Sequence, residues 1–195
     1  MTTAGVKKRL PRAEREQQLL DVAEQLFAEQ GFAATSMDEL AHRAGVTKPV
    51  VYNHFGSKDG VLAAGIARGR VQLATLTLEA VAGVEDAGEA LRRALRVFFA
   101  FVAERGRVWT QLMRETGGTG PAAEGLAEAR AQQSGLTALM LAQLHPEQDA
   151  MSLQVWAEAI VGACERLSVW WADHPDIPVD EITERLTALL LPALA

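Results

Sequence analysis

Apolar residues recur every three or four positions along most of the chain, and this spacing restricts it to helical folds. The first stripe joins five residues at the i, i+3, i+4, i+7 and i+8 positions of an amphipathic helix: Leu19, Val22, Ala23, Leu26 and Phe27. Alternating apolar and polar runs, which are typical of half-buried strands, are rare. Good helix formers dominate the 195 residues. We therefore predict an all-α protein of about nine helices.

Glycine and proline divide this pattern into separate helices. Gly31 is expected to end the first helix, which begins near Ala13. Gly106 is expected to break a later stripe and to leave a short helix after it. Residues 117–121 read Gly-Gly-Thr-Gly-Pro and form the clearest loop in the chain, and Pro146 is expected near another helix start.

Residues 36–55 predict a helix-turn-helix motif. Ser36 and Glu39 have the spacing of a capping box at the start of a short helix. A tight turn containing Gly45 follows, and such a turn lets the next helix cross the first one steeply. That second helix begins near Thr47, which can cap it. It is expected to stand out far enough to enter a DNA major groove.

The side chains of this second helix suit contacts with DNA. Lys48 can donate to guanine edges or to phosphate, and Asn53 can both donate and accept. Thr47 and Tyr52 have hydroxyls that can reach phosphate. Pro49 and Val50 have apolar groups that can contact thymine methyls. Lys58 can meet phosphate beside the backbone N–H groups that start the fourth helix. We expect the side chains of Val46, Val51 and Phe55 to face the core.

Two stretches of the chain, residues 19–41 and 44–58, resemble the TetR family of transcriptional regulators. The resemblance covers about residues 13–73, spacing included, and its most specific part is the Tyr-x-His-Phe-x-Ser-Lys run at 52–58. Asn53 departs from the pattern, since a second aromatic residue is frequent there. Five basic residues at or before position 15 predict a flexible basic arm (1–12) that meets phosphates, with a solvated tail as the alternative. The resemblance implies a helix-turn-helix domain (13–73) and a helical effector-binding and dimerisation domain (74–195).

The resemblance also implies a function and a set of contact residues. A homodimer would bind a near-palindromic double-stranded DNA operator, usually as a repressor, and a small-molecule effector would release it. Thr35 and Ser36 match phosphate contacts, and Tyr52, His54 and Lys58 match positions that clamp the DNA backbone. The positions that read bases in that family are matched here by Thr47, Lys48, Pro49 and Val50. Capping is an alternative role for Ser36, and packing is an alternative for His54.

Beyond residue 75 the resemblance is one of layout, so the ligand and dimer sites rest on residue type. Aromatic and methionine side chains on the middle helices are expected to line an effector pocket: Phe98, Phe101, Trp109, Met113, Met140 and Trp156. They favour an apolar or aromatic effector, with ordinary core packing as the alternative. Acidic residues on the same helices leave a cationic effector open. The last two helices are expected to form the dimer interface through Leu167, Trp170, Ile182, Leu186 and Leu189, unless both stripes pack internally.

Charge and cysteine content limit the other function classes. The net charge is −6, but residues 1–70 hold 10 Lys and Arg against 8 Asp and Glu, whereas residues 71–195 hold 9 against 17. The basic excess therefore lies with the helix-turn-helix, and the acidic total does not exclude nucleic acid. Cys164 is the only cysteine, which excludes an intrachain disulfide and fits a reducing compartment.

An enzyme is not expected. The four histidines are scattered, and we see no metal-ligand spacing, phosphate loop or nucleophile motif, so no metal or cofactor is predicted. No run approaches the roughly 18 apolar residues of a membrane span, and the basic N-terminus lacks a signal-peptide core, which favours the cytoplasm. A helical interaction protein that has lost DNA binding is the alternative. Three glycines in the fourth helix, Gly60, Gly65 and Gly69, predict a soft bridge between the domains, with close helix packing as the alternative.

Overall fold

The computed structural model describes residues 10–115 and 121–194, with backbone alone at 106–115, 121–122 and 193. This part of the chain contains helices and no strand, which confirms the all-α prediction. None of its helices carries an apolar stretch long enough to span a membrane. The helices are α1 (Arg12–Ala34), α2 (Met37–Arg43), α3 (Lys48–Phe55), α4 (Lys58–Val81), α5 (Ala87–Glu115), α6 (Pro121–Leu144), α7 (Ala150–Trp171), α8 (Val179–Leu190) and a 3-10 turn (Leu191–Ala193).

Three helix boundaries differ from the sequence prediction. At Gly31 the backbone leaves helical geometry (φ 85°, ψ 163°), but one further turn follows before α1 ends. The break predicted at Gly106 is wrong, because α5 runs through it without interruption. A glycine costs a helix only about 1 kcal/mol, and α5 is held along its length by packing against α1, α4, α7 and α8. Helix α7 starts after Asp149, not at Pro146, because the Asp149 carboxylate accepts hydrogen bonds from the first-turn amides at 2.9 and 3.1 Å.

Two apolar cores organise the chain. The first lies among α1, α2, α3 and the start of α4, and Leu126 of α6 is buried in it together with Leu19 and Val51. The second lies among α5, α6, α7 and α8 around Phe99, whose ring meets the Trp171 ring edge-on at 5.6 Å. Because α6 contributes to both cores, the N-terminal helices are packed directly onto the rest of the chain.

Candidate nucleic-acid interface and internal cavity

Helix α2 is fixed at both ends by its own sequence. The Ser36 hydroxyl accepts a hydrogen bond from the Glu39 amide at 3.1 Å, which confirms one half of the predicted capping box. The other half is wrong, because the Glu39 carboxylate accepts a hydrogen bond from the Gln30 side-chain amide of α1 and not from the Ser36 amide. At the other end Gly45 has a φ of 66°, and the Val46 amide donates to the Ala41 carbonyl at 3.0 Å. This Schellman motif needs a residue that tolerates the left-handed region, and it turns the chain into α3.

Helix α3 presents one side to the core and the other to solvent. Val51 is completely buried, and Val46 and Phe55 pack partly buried against the same core, as predicted. The exposed face carries five of the predicted contact residues, with Val50 half-buried at its edge: Thr47, Lys48, Pro49, Tyr52 and Asn53. A short helix whose polar side stands clear of the protein has the shape that a major groove accepts.

Thr47 stands at the N-cap of α3, but its side chain makes no capping hydrogen bond, so that part of the prediction is wrong. Pro49 at the second helical position has no N–H, and the amide of Val50 at the third position is directed to the Thr47 carbonyl, at 2.9 Å. The exposed hydroxyl is therefore not needed for capping.

Lys48 is held in place by α2. Its Nζ lies 2.9 Å from Oδ2 of Asp38 and 5.9 Å from the centre of the Tyr52 ring. The hydrogen bond to Asp38 raises the pKa of Lys48 above its ordinary value, so the ammonium stays charged. The sequence analysis did not single out Asp38, although a carboxylate in the first turn of α2 is a natural neighbour for the start of α3.

Two other predicted contact residues, Thr35 and Lys58, have hydrogen-bond partners within the chain. Thr35 is buried, and its hydroxyl donates to the Gly31 carbonyl at 2.8 Å, so its side chain is turned away from a phosphate. Lys58 Nζ donates to two carbonyls at the end of α1, those of Phe32 at 2.9 Å and Ala33 at 3.1 Å. These bonds join the start of α4 to the end of α1.

His54 is mostly buried on the side of α3 that faces α1. Its Nδ1 lies 3.5 Å from a carboxylate oxygen of Glu16, too far for a good hydrogen bond, and its ring lies near that of Phe55. This placement fits the packing alternative for His54. Within the predicted arm, residues 1–9 lie outside the described residues, while Leu10, Pro11 and Arg12 are exposed.

Helices α3 and α4 approach each other closely at their junction. Gly56 ends α3 with a φ of 72°, and Ser57 caps α4 by accepting from the Gly60 amide at 3.0 Å, as predicted. A methyl group on Gly60 would overlap the carbonyl oxygen of Phe55 and lie 3.0 Å from its carbonyl carbon. Gly60 therefore permits close packing of α3 against α4, which fits the close-packing alternative, whereas Gly65 has open space around it.

An elongated cavity of about 650 Å³ runs through the helical body. Its wall is shared by α1, α4, α5, α6 and α7, and along α4 it extends from Val61 to Val81. Twenty residues of helix correspond to roughly 30 Å. The volume lies within the range of about 300–1,000 Å³ that is typical of small-molecule sites. The cavity thus touches both the helices of the first core and those of the second.

The cavity wall includes some of the predicted pocket residues. Phe98, Phe101 and Met140 line it. Trp156 lies away from the wall and packs edge-on against His145 at 5.5 Å. The side chains of Trp109 and Met113 lie outside the described residues. The wall contributed by α1 and α4 was not predicted, because α1 was assigned to the DNA-binding domain and α4 to the bridge between the domains. Two glycines of that bridge, Gly65 and Gly69, line the cavity.

The predicted dimer residues are divided between the inside and the surface of the chain. Ile182 and Leu186 are buried in the second core, against α5, so they follow the internal-packing alternative. Leu167 is half-buried, and Trp170 and Leu189 are exposed. A larger set of exposed apolar residues escaped the sequence analysis: Leu139 on α6 and Met151 and Val155 on α7, at 67%, 72% and 57% exposure.

Two further features of the described residues are the single thiol and the distribution of possible metal ligands. Cys164 is buried in the cavity wall, and burial raises its pKa to about 12, so the thiol stays protonated. Among residues 10–115 and 121–194, no group of His, Cys, Asp and Glu is placed to hold a metal ion.

Comparison with known proteins identifies two matching family models. Residues 19–64 match "Bacterial regulatory proteins, tetR family", and residues 87–192 match "Tetracyclin repressor-like, C-terminal domain". The HTH-type transcriptional activator FasR of Mycolicibacterium smegmatis is 43% identical over 94 residues, which span 48% of this chain and only 43% of FasR.

Solved structures share the fold over most of the chain. A TetR-like transcriptional regulator from Rhodococcus sp. RHA1 is 33% identical, with a TM-score of 0.71 over 95% of this chain and 98% of that one. FadR from Bacillus subtilis, solved in complex with stearoyl-CoA, has a TM-score of 0.77 over 89% of this chain and 96% of its own, at 16% identity. At that identity the likeness is one of fold.

Proposed function

Because the chain belongs to the TetR family of DNA-binding transcriptional regulators, we propose that it is a ligand-responsive repressor. A homodimer would bind a near-palindromic operator and leave it when a small-molecule effector fills the cavity. Residues 1–12 would be a basic arm, 13–73 the DNA-binding domain and 74–195 the effector-binding and dimerisation domain. The observation that carries the proposal is a cavity whose wall includes α1 and α4, the helices that pack against the helix-turn-helix.

The proposed DNA contacts follow from the exposed face of α3. Lys48 would read a base or meet a phosphate, with Asp38 holding its ammonium at the start of the helix. Thr47 and Tyr52 would donate to phosphates, and Asn53 would reach a base edge. Lys58 would act mainly through α1, since two of its three N–H groups already donate to carbonyls there.

The proposed dimer surface lies on α6 and α7. Met151, Val155 and Trp170 follow one exposed side of α7, and Leu139 is exposed on α6. Exposed apolar residues on neighbouring helices are typical of an association surface. A two-fold axis at this surface would set the separation of the two α3 helices, which must be about 34–36 Å to read half-sites one turn apart.

Effector release would act through the shared wall of the cavity. An apolar or aromatic ligand must contact α4, and any change that it makes in the packing of α4 alters the support of α3. Gly65 has space around it and lines the cavity, so it is the position where α4 can bend most easily. Replacing Gly65 by Ala should reduce effector-dependent release; unchanged coupling would exclude this hinge.

Activation is the second candidate, and the name of the M. smegmatis relative, an activator, favours it. Both functions require the same DNA contacts, and we assign both to the cytoplasm and neither to an enzyme. Fluorescence anisotropy with a duplex taken from upstream of the chain's own gene tests the shared premise. The logarithm of the affinity should fall linearly with the logarithm of the salt concentration. Absence of salt-sensitive binding to any duplex would favour an interaction protein without DNA binding.

A further inference from the structure

Charged groups of the cavity wall cluster around Arg70 of α4. From Arg70 towards Val81, the cavity wall is mainly apolar. Arg70, Arg105 and Arg130 line the cavity together with carboxylates of α1, α5 and α7. Farther along α4 the wall is formed mainly by aliphatic residues, including Val81, Val84, Leu91, Leu141, Leu144 and Leu194. From Arg70 to Val81 the helix advances about 16 Å. The cavity therefore has a polar part and an apolar part of considerable length.

Most of the carboxylates in the polar part are already paired with an arginine. Arg68 lies 2.6 Å from a carboxylate oxygen of Asp21 and 2.7 Å from one of Glu24. Arg130 donates to both oxygens of Glu165, at 2.9 and 2.6 Å. The remaining carboxylate of the polar part, that of Glu104, is exposed.

The remaining two guanidinium groups have only amide partners. Arg70 donates to the side-chain oxygen of Gln132, whose amide nitrogen in turn donates to Glu128 at 2.8 Å. Arg105 donates to the side-chain oxygen of Gln72 at 2.5 Å. Within the described part of the chain, neither has a carboxylate oxygen within ion-pair distance; Glu24 and Glu104 act on Arg105 only from farther away. Arginine is always charged, so Arg70 and Arg105 are two cations whose hydrogen-bond acceptors are uncharged amides.

Arg105 is also oriented by its surroundings. Its guanidinium carbon lies 3.7 Å from the centre of the Phe101 ring, and Phe101 is buried in the cavity wall. Stacking fixes the guanidinium plane beside the cavity. Burial lowers the pKa of Arg105, so the cation is poorly solvated and would gain from an anionic partner.

We infer that the effector is an amphiphile with one long alkyl tail and an anionic head that Arg70 and Arg105 hold. This inference rests on the proposed function, because it names the ligand class of the same cavity. The tail lies along α4 towards Val81, where its burial supplies most of the affinity. The head provides selection: a carboxylate or phosphate forms charge-assisted hydrogen bonds with guanidinium, which a hydroxyl or a quaternary ammonium cannot replace.

Isothermal titration calorimetry with the whole chain tests the head. The probes share a dodecyl tail and are used below their micelle concentrations: dodecanoate, dodecanol and dodecyltrimethylammonium. Dodecanoate should bind about tenfold to a hundredfold more tightly than dodecanol, as expected for one or two hydrogen bonds to a charged group, and the cation should bind most weakly. Equal binding of dodecanoate and dodecanol, or preference for the cation, would overturn the inference.

Matched variants separate a specific site from general attraction. Arg70→Gln with Arg105→Gln should remove the preference for dodecanoate and leave dodecanol binding unchanged, which also shows that the cavity is intact. Arg185→Gln, an exposed ion-pair partner of Glu181 outside the cavity, should change nothing. A preference that survives in the double variant would contradict the assignment to these arginines.

Two further probe series define the ligand. Affinity should rise about fourfold per added methylene from octanoate to dodecanoate. Tighter binding of dodecanoyl-CoA than of dodecanoate, lost in the double variant, would assign a phosphorylated head, and the reverse order would assign a free carboxylate; both support an anionic head. If no dodecyl probe binds at all, the apolar effector of the proposed function fails as well, whereas loss of head preference alone leaves it standing.

Discussion

Replacing Gly60 by alanine tests how closely the recognition helix is joined to α4. In the structure an added Cβ overlaps the carbonyl oxygen of Phe55 and lies 3.0 Å from its carbon, and both atoms are backbone. The C-terminal end of α3 must therefore move away from α4. Overpacking of this kind costs about 1–3 kcal/mol. Alanine also gains about 1 kcal/mol of helix propensity over glycine, which offsets part of that cost.

Gly65→Ala is the matched control, because it lies in the same helix and an added Cβ there meets nothing within 4 Å. Gly65→Ala gains helix propensity without any steric overlap, whereas Gly60→Ala has both. The two variants should therefore differ by about 1–3 kcal/mol in their free energy of unfolding. Urea unfolding followed by circular dichroism measures the difference. Operator affinity should also fall in Gly60→Ala, since α3 is displaced. Equal stability of the two variants would refute the close junction between Phe55 and Gly60.

Three further predictions concern the DNA face, the thiol and the dimer. Lys48→Ala should weaken operator binding about tenfold to a hundredfold if Lys48 reads a base, and an equal loss on all sequences in anisotropy titrations would make it a phosphate contact alone. Burial raises the pKa of Cys164 to about 12 from an ordinary 9.0. The contribution of the protonated thiol to the free energy of unfolding is therefore complete below pH 9, and it declines as the pH rises from 9 towards 12. At pH 8 a disulfide reagent should modify Cys164 only after denaturant is added, and rapid modification of the native chain would contradict its burial. Met151→Glu places a charge on the proposed dimer surface and should give a monomer in sedimentation velocity; an unchanged dimer would place the interface elsewhere.

Local rules predicted the helix-turn-helix because its geometry is determined by neighbouring residues. Ser36 and Ser57 cap their helices, and Gly45 adopts the left-handed backbone that the turn requires. Thr47 failed as a side-chain cap for an equally local reason: Pro49 has no N–H, and the Val50 amide donates to the Thr47 carbonyl instead. Gly106 failed because packing of α5 against four other helices outweighs the cost of one glycine.

The cavity and the dimer surface were harder to predict because both depend on how helices are placed relative to one another. Ile182 and Leu189 lie on the same short helix, yet the first is buried against α5 and the second is exposed. Trp156 has the residue type of a pocket wall but packs against His145 instead. Arg70 and Arg105 are far apart in sequence, and only the fold brings both to one cavity.

Linkage between the cavity and α3 is the central claim, and one titration tests it most directly. The affinity of the chain for its upstream duplex is measured by anisotropy with and without saturating dodecanoate, and the affinity for dodecanoate is measured with and without the duplex. Ligand and DNA should each weaken the binding of the other by the same factor, because coupling between two sites is reciprocal. Dodecanoate that occupies the cavity while the affinity for DNA stays unchanged would contradict the account.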